Sequence, residues 1–467
     1  MRDGSRLLST IVGVLLLATA LGAQVPESQN PWMGSVPSGQ ASSKVILLSL
    51  AQAIAQGLRS NLGLLLSDDA SRVARGERWQ ALSRLLPTLE TATTESQQEI
   101  NLHALIGARI PPALPAIAGP FHVFDARATA TAALFNLSAL RAEQAARQNV
   151  RAATYTYRQA RDTIVLAVGN AYLMTLAAKA RVTAARAEVR TAQALYELAA
   201  DREHAGLSPE IDTLRAHVEL KARQESLLAA ENEYETDKLT LARLIGLPDG
   251  QRYHLVTAAP YAPLETLTFE QAVGQAYLER GDYQAAQAAV RSAEAERRAV
   301  AAERYPTLSV HASADEIGLT LAGAHPTYAV AATVQIPIFQ GGRVRGELQV
   351  AEARLRQRQQ DLSSLHDQIA YEIRTALLNL KTSASQVAVA RSNIHLAHAT
   401  LQQARDRFAT GVTDNIEVVE AQQAAAQADD AYISSLYQFN LSKLSLARAT
   451  GVAERDALKY LGVKNHD

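Results

Sequence analysis

No cysteine occurs in this 467-residue chain. Disulfides, thiol catalysis and a lipid-carrying cysteine behind a signal sequence are excluded together. Neither charge prevails: 46 Lys and Arg face 47 Asp and Glu for a formal net charge of −1, and without a basic excess there is no electrostatic case for a nucleic-acid partner. Nothing after residue 21 offers about 18 consecutive apolar residues, so no helical membrane span is expected in the mature chain. Entry into a membrane would have to be as strands. Also missing are a recognisable grouping of nucleophile, base and orienting residue and a Gly-rich phosphate loop, so neither an enzyme nor a cofactor is expected. His395 and His398 sit three apart on a helical stretch, but no third ligand has matching spacing, which points to a solvated face rather than a metal site.

What is there begins with Met1-Arg2 and Arg6, then an apolar run from Leu7 to Leu21 and small residues at Ala18, Ala20, Gly22 and Ala23. That order reads as a secretory signal peptide over 1–23, cleaved near Ala20 or Ala23. The run is too short to cross a hydrocarbon layer of about 30 Å comfortably. Residues 24–43, rich in Ser, Pro and Gly, read as a flexible N-terminus.

The rest of the chain is written twice. Arg202-Glu203-His204-Ala205-Gly206-Leu207 recurs as Arg407-Phe408-Ala409-Thr410-Gly411-Val412, and Lys238 to Gly246 recurs as Lys443 to Gly451, both at an offset of 205 residues. Earlier in the chain the offset is 219, where Pro87-Thr88-Leu89 matches Pro306-Thr307-Leu308. Two tandem copies of one unit follow, a first repeat at 44–246 and a second at 267–452, with a Pro- and Gly-containing linker at 247–266 and a C-terminal tail at 453–467.

Within a copy, capping-box patterns Ser49-x-x-Gln52 and Thr268-x-x-Gln271 open a helix that is expected to run to Pro87 or Pro306. After each proline the period changes to two. Leu308, Val310, Ala312 and Ala314 alternate with polar neighbours, and so do Val330, Ala332 and Val334 in a second stretch. In the first copy Phe124, Ala126, Ala128, Ala130, Ala132 and Leu134 alternate clearly, whereas Leu89 to Glu95 alternates poorly and puts Glu95 on the apolar side. Each copy supplies two strands, and the first holds about 15 extra residues in a Pro-rich loop around Ile110 to Pro115. Helical stretches then run from about Ala139 to His204 and from about Arg343 to Ala409, roughly 100 Å each at 1.5 Å per residue. No globular core needs such lengths, so coiled-coil packing is expected. Gly206 and Gly411 end these helices as left-handed caps, and Ser208-Pro209 and Thr413-Asp414 are expected to start the return helices as N-cap and first-turn residue.

Four strands leave open edges whose unpaired backbone groups cost several kcal/mol each in hydrocarbon. Membrane barrels need at least eight strands, so closure must come from other chains.

With these marks the chain resembles the TolC-like outer-membrane efflux proteins from about Val45 to Gly462. The resemblance rests on the two Arg-x-x-x-Gly hairpins, on the strand-to-helix junctions Leu134-Phe135-Asn136-Leu137-Ser138 and Ile336-Pro337-Ile338-Phe339-Gln340-Gly341-Gly342-Arg343, and on Gly119-Pro120-Phe121. It implies a mainly α fold with a small β part: tandem long helical hairpins forming a coiled-coil α-barrel in the periplasm, and four strands per chain given to a twelve-stranded barrel of a homotrimer in outer-membrane lipid. The implied function is a passive exit duct that meets a periplasmic adaptor and an inner-membrane pump of RND or ABC type. An exported coiled-coil scaffold that never inserts is the competing reading, and the sequence does not separate efflux from type I secretion.

Carried over by position, the resemblance makes the tip residues Arg202, Gly206, Leu207, Arg407, Gly411 and Val412 candidate adaptor contacts. The same glycines and arginines can serve locally as helix caps, and both roles can coexist. Asn415 to Glu420 matches the stretch that carries acidic constriction residues, with Glu here where well-studied members have Asp. Glu417 and Glu420 then share a helix face and, by threefold symmetry, form carboxylate rings at a periplasmic gate. The first-copy positions are Asp212 and Arg215, and Arg215 is expected to pair with a neighbouring Glu420.

Overall fold

The computed structural model describes residues 34–37, 39–102, 104, 115–256, 261–264 and 267–463. The signal peptide, most of the Pro-rich loop and parts of 24–43 and of the linker therefore lie outside the described residues. In the first copy β1 (Ile46–Leu48), α1 (Leu50–Ser60), α2 (Leu62–Ser83), β2 (Thr88–Asn101), β3 (Ile117–Phe135), α3 (Leu137–His204) and α4 (Glu210–Ile245) follow one another. After β4 (Tyr253–Leu255) the second copy runs α5 (Phe269–Glu279), α6 (Gly281–Ala302), β5 (Thr307–Gly318), β6 (His325–Gln335), α7 (Arg343–Ala409) and α8 (Asn415–Ala449), and α9 (Ala453–Leu461) ends it.

Both capping boxes form: Ser49 Oγ accepts from Gln52 N–H at 3.2 Å while Gln52 Oε1 accepts from Ser49 N–H at 2.9 Å, and Thr268 and Gln271 repeat the pair. The helix each box opens does not run unbroken to the proline. It is interrupted after one short helix, at Asn61 and at Arg280, both in extended backbone. Asn61 closes α1 and caps α2, its Oδ1 accepting from Gly63 N–H at 2.9 Å. Arg280 has no such side-chain acceptor and holds the break through buried ion pairs instead. Within the C-terminal tail, residues 453–461 form a helix that the sequence reading does not name. This helix, α9, buries Ala453, Ala457, Tyr460 and Leu461, and the linker carries β4, which pairs in parallel with β1.

The strands form one antiparallel sheet in the order β2-β3-β5-β6, with β2 and β6 as its edges. Register keeps the two faces distinct. Arg127 opposes Asp315, Thr129 opposes Ser313 and Thr131 opposes His311 on the polar face, while Ala128, Ala130 and Ala132 oppose Ala314, Ala312 and Val310 on the other. The polar face is internally bonded, with Arg127 Nε 2.8 Å from Asp315 Oδ1 and Thr131 Oγ1 3.1 Å from His311 Nδ1. Glu95 does fall on the apolar face, opposite Phe124. Phe124 in turn opposes Gly318, the last residue of β5, so Glu95 lies level with the β5–β6 turn and away from the middle of the sheet.

Two apolar clusters hold the helices. The larger joins both copies through Ile164, Val168, Tyr172, Leu244, Ile369, Ile373 and Leu444. The smaller, near the hairpin tips, contains Leu195, Ala199, Leu401, Ala404, Phe408, Val418 and Ala421. By composition α3 has a window apolar enough to cross a membrane, but 56% of that window is buried inside the protein. It is the central core helix. Gly169 makes the close approach to α8 possible, since a Cβ there would come within 2.6 Å of Leu444 Cδ1.

Candidate functional site at the hairpin tips

The tips form because each long helix ends in two crossed backbone bonds. Leu207 N–H donates to Arg202 O at 2.8 Å and Gly206 N–H to Glu203 O at 2.9 Å; Val412 and Gly411 do the same with Arg407 and Phe408. Gly206 and Gly411 sit at φ of 73° and 76°, the left-handed region where a side chain strains the backbone. Leu207 and Val412 then project as the most exposed apolar groups of the two tips. The return helices start one residue later than expected. Asp414 caps α8 by accepting from Ile416 N–H at 3.1 Å, and Pro209 occupies the matching place before α4 without a side-chain bond.

The two arginines, equivalent in sequence, do different things. Arg202 is half-buried and crosses to the second hairpin, where Nη1 donates to the Phe408 and Ala409 carbonyls, each at 3.0 Å, while its guanidinium lies 5.2 Å from the Phe408 ring centroid. It neutralises the negative end of α7 with a real charge. Arg407 stays exposed and pairs with Glu417 at 3.2 Å. Arg202→Ala leaves those end carbonyls to solvent and removes a charge-assisted contact worth about 1.5 kcal/mol or more. Amide exchange at 406–412 is expected to rise about tenfold relative to the rest of α7, read by hydrogen–deuterium exchange, and Arg202→Lys should recover only part of the protection.

The acidic positions are also unequal. Glu417 is tied twice, to Arg407 and to the Thr413 hydroxyl, which donates to its Oε2. Glu420 is exposed on the same helix face. In the first copy Asp212 is buried and Arg215 lies 3.7 Å from it, one turn on in the same helix, so within one chain Arg215 meets Asp212 rather than Glu420. Two residues that sequence reasoning passed over complete the junction. Asn415 is fully buried and donates Nδ2–H to the Asp212 carbonyl at 2.8 Å, and Phe408 packs beneath Arg202. The only signal for Asn415 was its place in the first turn of a helix, which suits many roles. The site is polar, braced and free of any group of three His, Asp or Glu side chains placed to hold a metal among the described residues. His398 pairs with Asp429 at 3.1 Å instead.

The family model for outer membrane efflux proteins matches this chain over residues 70–247 and 272–452, one segment in each copy. The chain belongs to the outer membrane efflux protein family. It is 26% identical over 314 residues to the pyoverdine export outer membrane protein OpmQ of Pseudomonas putida and 26% identical over 322 residues to the outer membrane protein OprJ of Pseudomonas aeruginosa, covering 66% of this chain in both cases. Those alignments span 66% and 65% of the relatives' own lengths. Among solved structures, the outer membrane protein VceC of Vibrio cholerae superposes with a TM-score of 0.74 at 20% identity, covering 86% of this chain and 96% of that one. An outer membrane efflux protein fold, with long helical hairpins and a small sheet in an outer-membrane protein, is thus the fold of this chain.

Proposed function

We propose that three copies of this chain close into an outer-membrane channel, a passive exit duct whose periplasmic tips meet an adaptor linked to an inner-membrane pump. The observation that carries this reading is an inner joint without its outer counterpart. Inside the chain, the first copy meets the second where α3 packs on α6 and α8. At that joint Leu173 is 2% exposed and Leu444 0%. Their equivalents in the other copy, Leu378 and Leu239, are 60% and 69% exposed. Ala145 and Ser292 are buried against each other, whereas the matching Val350 and Val73 are both exposed. Leu378 and Val350 on α7, Leu239 on α4 and Val73 on α2 are thus left bare although each has an equivalent that is covered within the chain. Covering a Leu or Val contributes roughly 1.5–3 kcal/mol, which favours ring closure by further copies.

The sheet supports the same reading, since its free edges on β2 and β6 pair if four strands per chain join into twelve. Exposed Leu207 and Val412 at the tips offer adaptor contacts beside the Gly206 and Gly411 turns, and the Glu417 and Glu420 pair would line the narrowest opening with Asp212 and Arg215 at the alternating positions. Chemistry of transport would reside in the pump. The full chain purified from outer membranes in mild detergent is expected at three times the chain mass by native mass spectrometry, and it should form ion-conducting pores in planar bilayers. Soluble periplasmic monomer without conductance would overturn the proposal in favour of a scaffold that never inserts.

A further inference from the structure

At the inner joint, the start of α9 is docked on α3 by two neighbouring side chains. Asp162 is buried and its Oδ1 accepts the Glu454 backbone N–H at 2.8 Å. Arg161 grips the Glu454 carboxylate with Nε at 2.7 Å and Nη2 at 2.5 Å. Burial at this contact pushes the Asp162 carboxyl up to about 6. Asp162 thus supplies the acceptor that the first turn of α9 lacks, because Val452 at its N-cap offers no side-chain bond.

The 205-residue offset maps Arg161-Asp162 onto His366-Asp367 and Val452-Ala453-Glu454 onto Leu247-Pro248-Asp249. Alignment there is ungapped, and burial agrees along the helix: Ile164 with Ile369 and Val168 with Ile373 are all fully buried. The aspartate is kept, and both copies carry an acid at the docked position. Yet Asp367, His366 and Asp249 are all exposed in the single chain. The imidazole of His366 is already oriented, stacked on Tyr277 with ring centroids 4.5 Å apart and its Nδ1 3.2 Å from Asp367 Oδ1.

We propose that Asp367 and His366 form one half of a docking site whose other half is the Leu247-Pro248-Asp249-Gly250 turn of a second copy of this chain. In that contact Asp367 accepts the Asp249 backbone N–H and the imidazole meets the Asp249 carboxylate, repeating between chains what Asp162 and Arg161 do within one. The inference rests on the closed-ring reading of the assembly and deepens it to named residues. It makes the outer joint weaker than the inner one, because a stacked imidazole replaces a two-point guanidinium.

The absence of cysteine gives a clean test. The full-length double variant Asp249→Cys with His366→Cys, treated in membranes with a short bis-maleimide that reaches beyond the Cβ separation of about 4 Å a disulfide needs and run on a denaturing gel, is expected to yield covalent dimers and trimers. The control pair Arg161→Cys with Glu454→Cys should close within one chain and stay at monomer mass. If native mass spectrometry shows trimers and the outer pair gives only monomer while the control closes, this docking assignment is wrong and the trimer stands. If the unmodified protein is monomeric in mild detergent, the ring reading itself fails.

Discussion

Arg280→Ala is expected to destabilise the protein by about 3–5 kcal/mol, the range for stranding partners of a buried ion pair. Arg280 is 1% exposed, with Nη2 at 2.6 Å from Asp282 and Nη1 at 2.7 Å from Glu372 and 3.2 Å from the Ala449 carbonyl. A Cβ on Gly451 would come within 2.7 Å of the Arg280 backbone nitrogen, so the break between α5 and α6 is packed directly on the end of α8. Alanine removes all of Arg280's own side-chain bonds, leaving Asp282 with the Tyr283 backbone N–H at 2.8 Å and Glu372 with Arg448 at 3.2 Å and Gln368 at 2.8 Å. Burial alone would raise the Asp282 carboxyl, but hydrogen bonding and charge from Arg280 more than offset this and hold it below the ordinary carboxylate range. A carboxylate depressed in the fold contributes stability above its unfolded value of about 3.9, lost as pH falls through the folded value. Without Arg280 the desolvation of half-buried Asp282 outweighs its remaining Tyr283 N–H bond and the field of Arg448, so the sign reverses and proton uptake becomes favourable. The penalty in thermal unfolding of the purified protein should therefore be largest near neutrality and shrink toward pH 5. An equal loss at both values would show that packing, not charge, holds the break.

The same arginine shows where sequence reading stops. The repeat, the capping boxes, the strand faces and the hairpin turns were legible because each is a local pattern: a hydroxyl three residues before an amide, a period of two, a glycine after the last helical turn. The breaks at Asn61 and Arg280 are not local. Asn is an ordinary cap, but an arginine in extended backbone between two helices has no sequence signature, and its partners are 2, 92 and 169 residues away. For the same reason α9 and the β1–β4 pair were missed, since each is short and gains its stability from a surface supplied by distant parts of the chain. At the tips the sequence presented Arg202 and Arg407 as equals. Only the packing of one hairpin on the other shows that the first bridges the two hairpins while the second pairs with Glu417 inside its own.

That difference bears on how the tips could move. The cluster beneath them is small and built mostly of alanine around Leu195, Leu401 and Phe408. Between it and the larger core, beside small buried groups such as Val182, Ala185 and Ala428, Arg181 of the first hairpin reaches Asp430 of the second at 2.8 Å, Arg223 meets Glu188 at 3.1 Å within the first and His398 meets Asp429 at 3.1 Å within the second. Such contacts contribute roughly 0–1 kcal/mol each where exposed, far less than a buried leucine. The tip half of the hairpins is thus the part that can shift without breaking the core. Within one chain Arg202 ties the first tip to the second through the Phe408 and Ala409 carbonyls.

Replacing both Glu417 and Glu420 by Ala is then expected to give the largest functional change: higher single-channel conductance and a cation preference lowered about tenfold. That size follows from the local enrichment a ring of one charge sign supports in a low-dielectric cleft, whose lower bound is about tenfold. The two positions should not contribute equally. Glu420 faces solvent with no ion pair among the described residues, so Glu420→Gln alone removes charge from the proposed opening and leaves the tip geometry intact. Glu417 is held by Arg407 and Thr413, so Glu417→Gln also frees the Arg407 guanidinium and adds positive character at the same level. Each variant raises the charge by one per chain, and the single Glu417 variant should shift selectivity further toward anions because the released Arg407 guanidinium can turn into the opening. Reversal potentials across planar bilayers under a salt gradient measure this directly. The effect should fade toward 1 M salt, where the screening length falls to about 3 Å. Unchanged selectivity in the double variant at low salt would place the constriction elsewhere. Equal shifts in the two single variants would show that Arg407 does not face the opening.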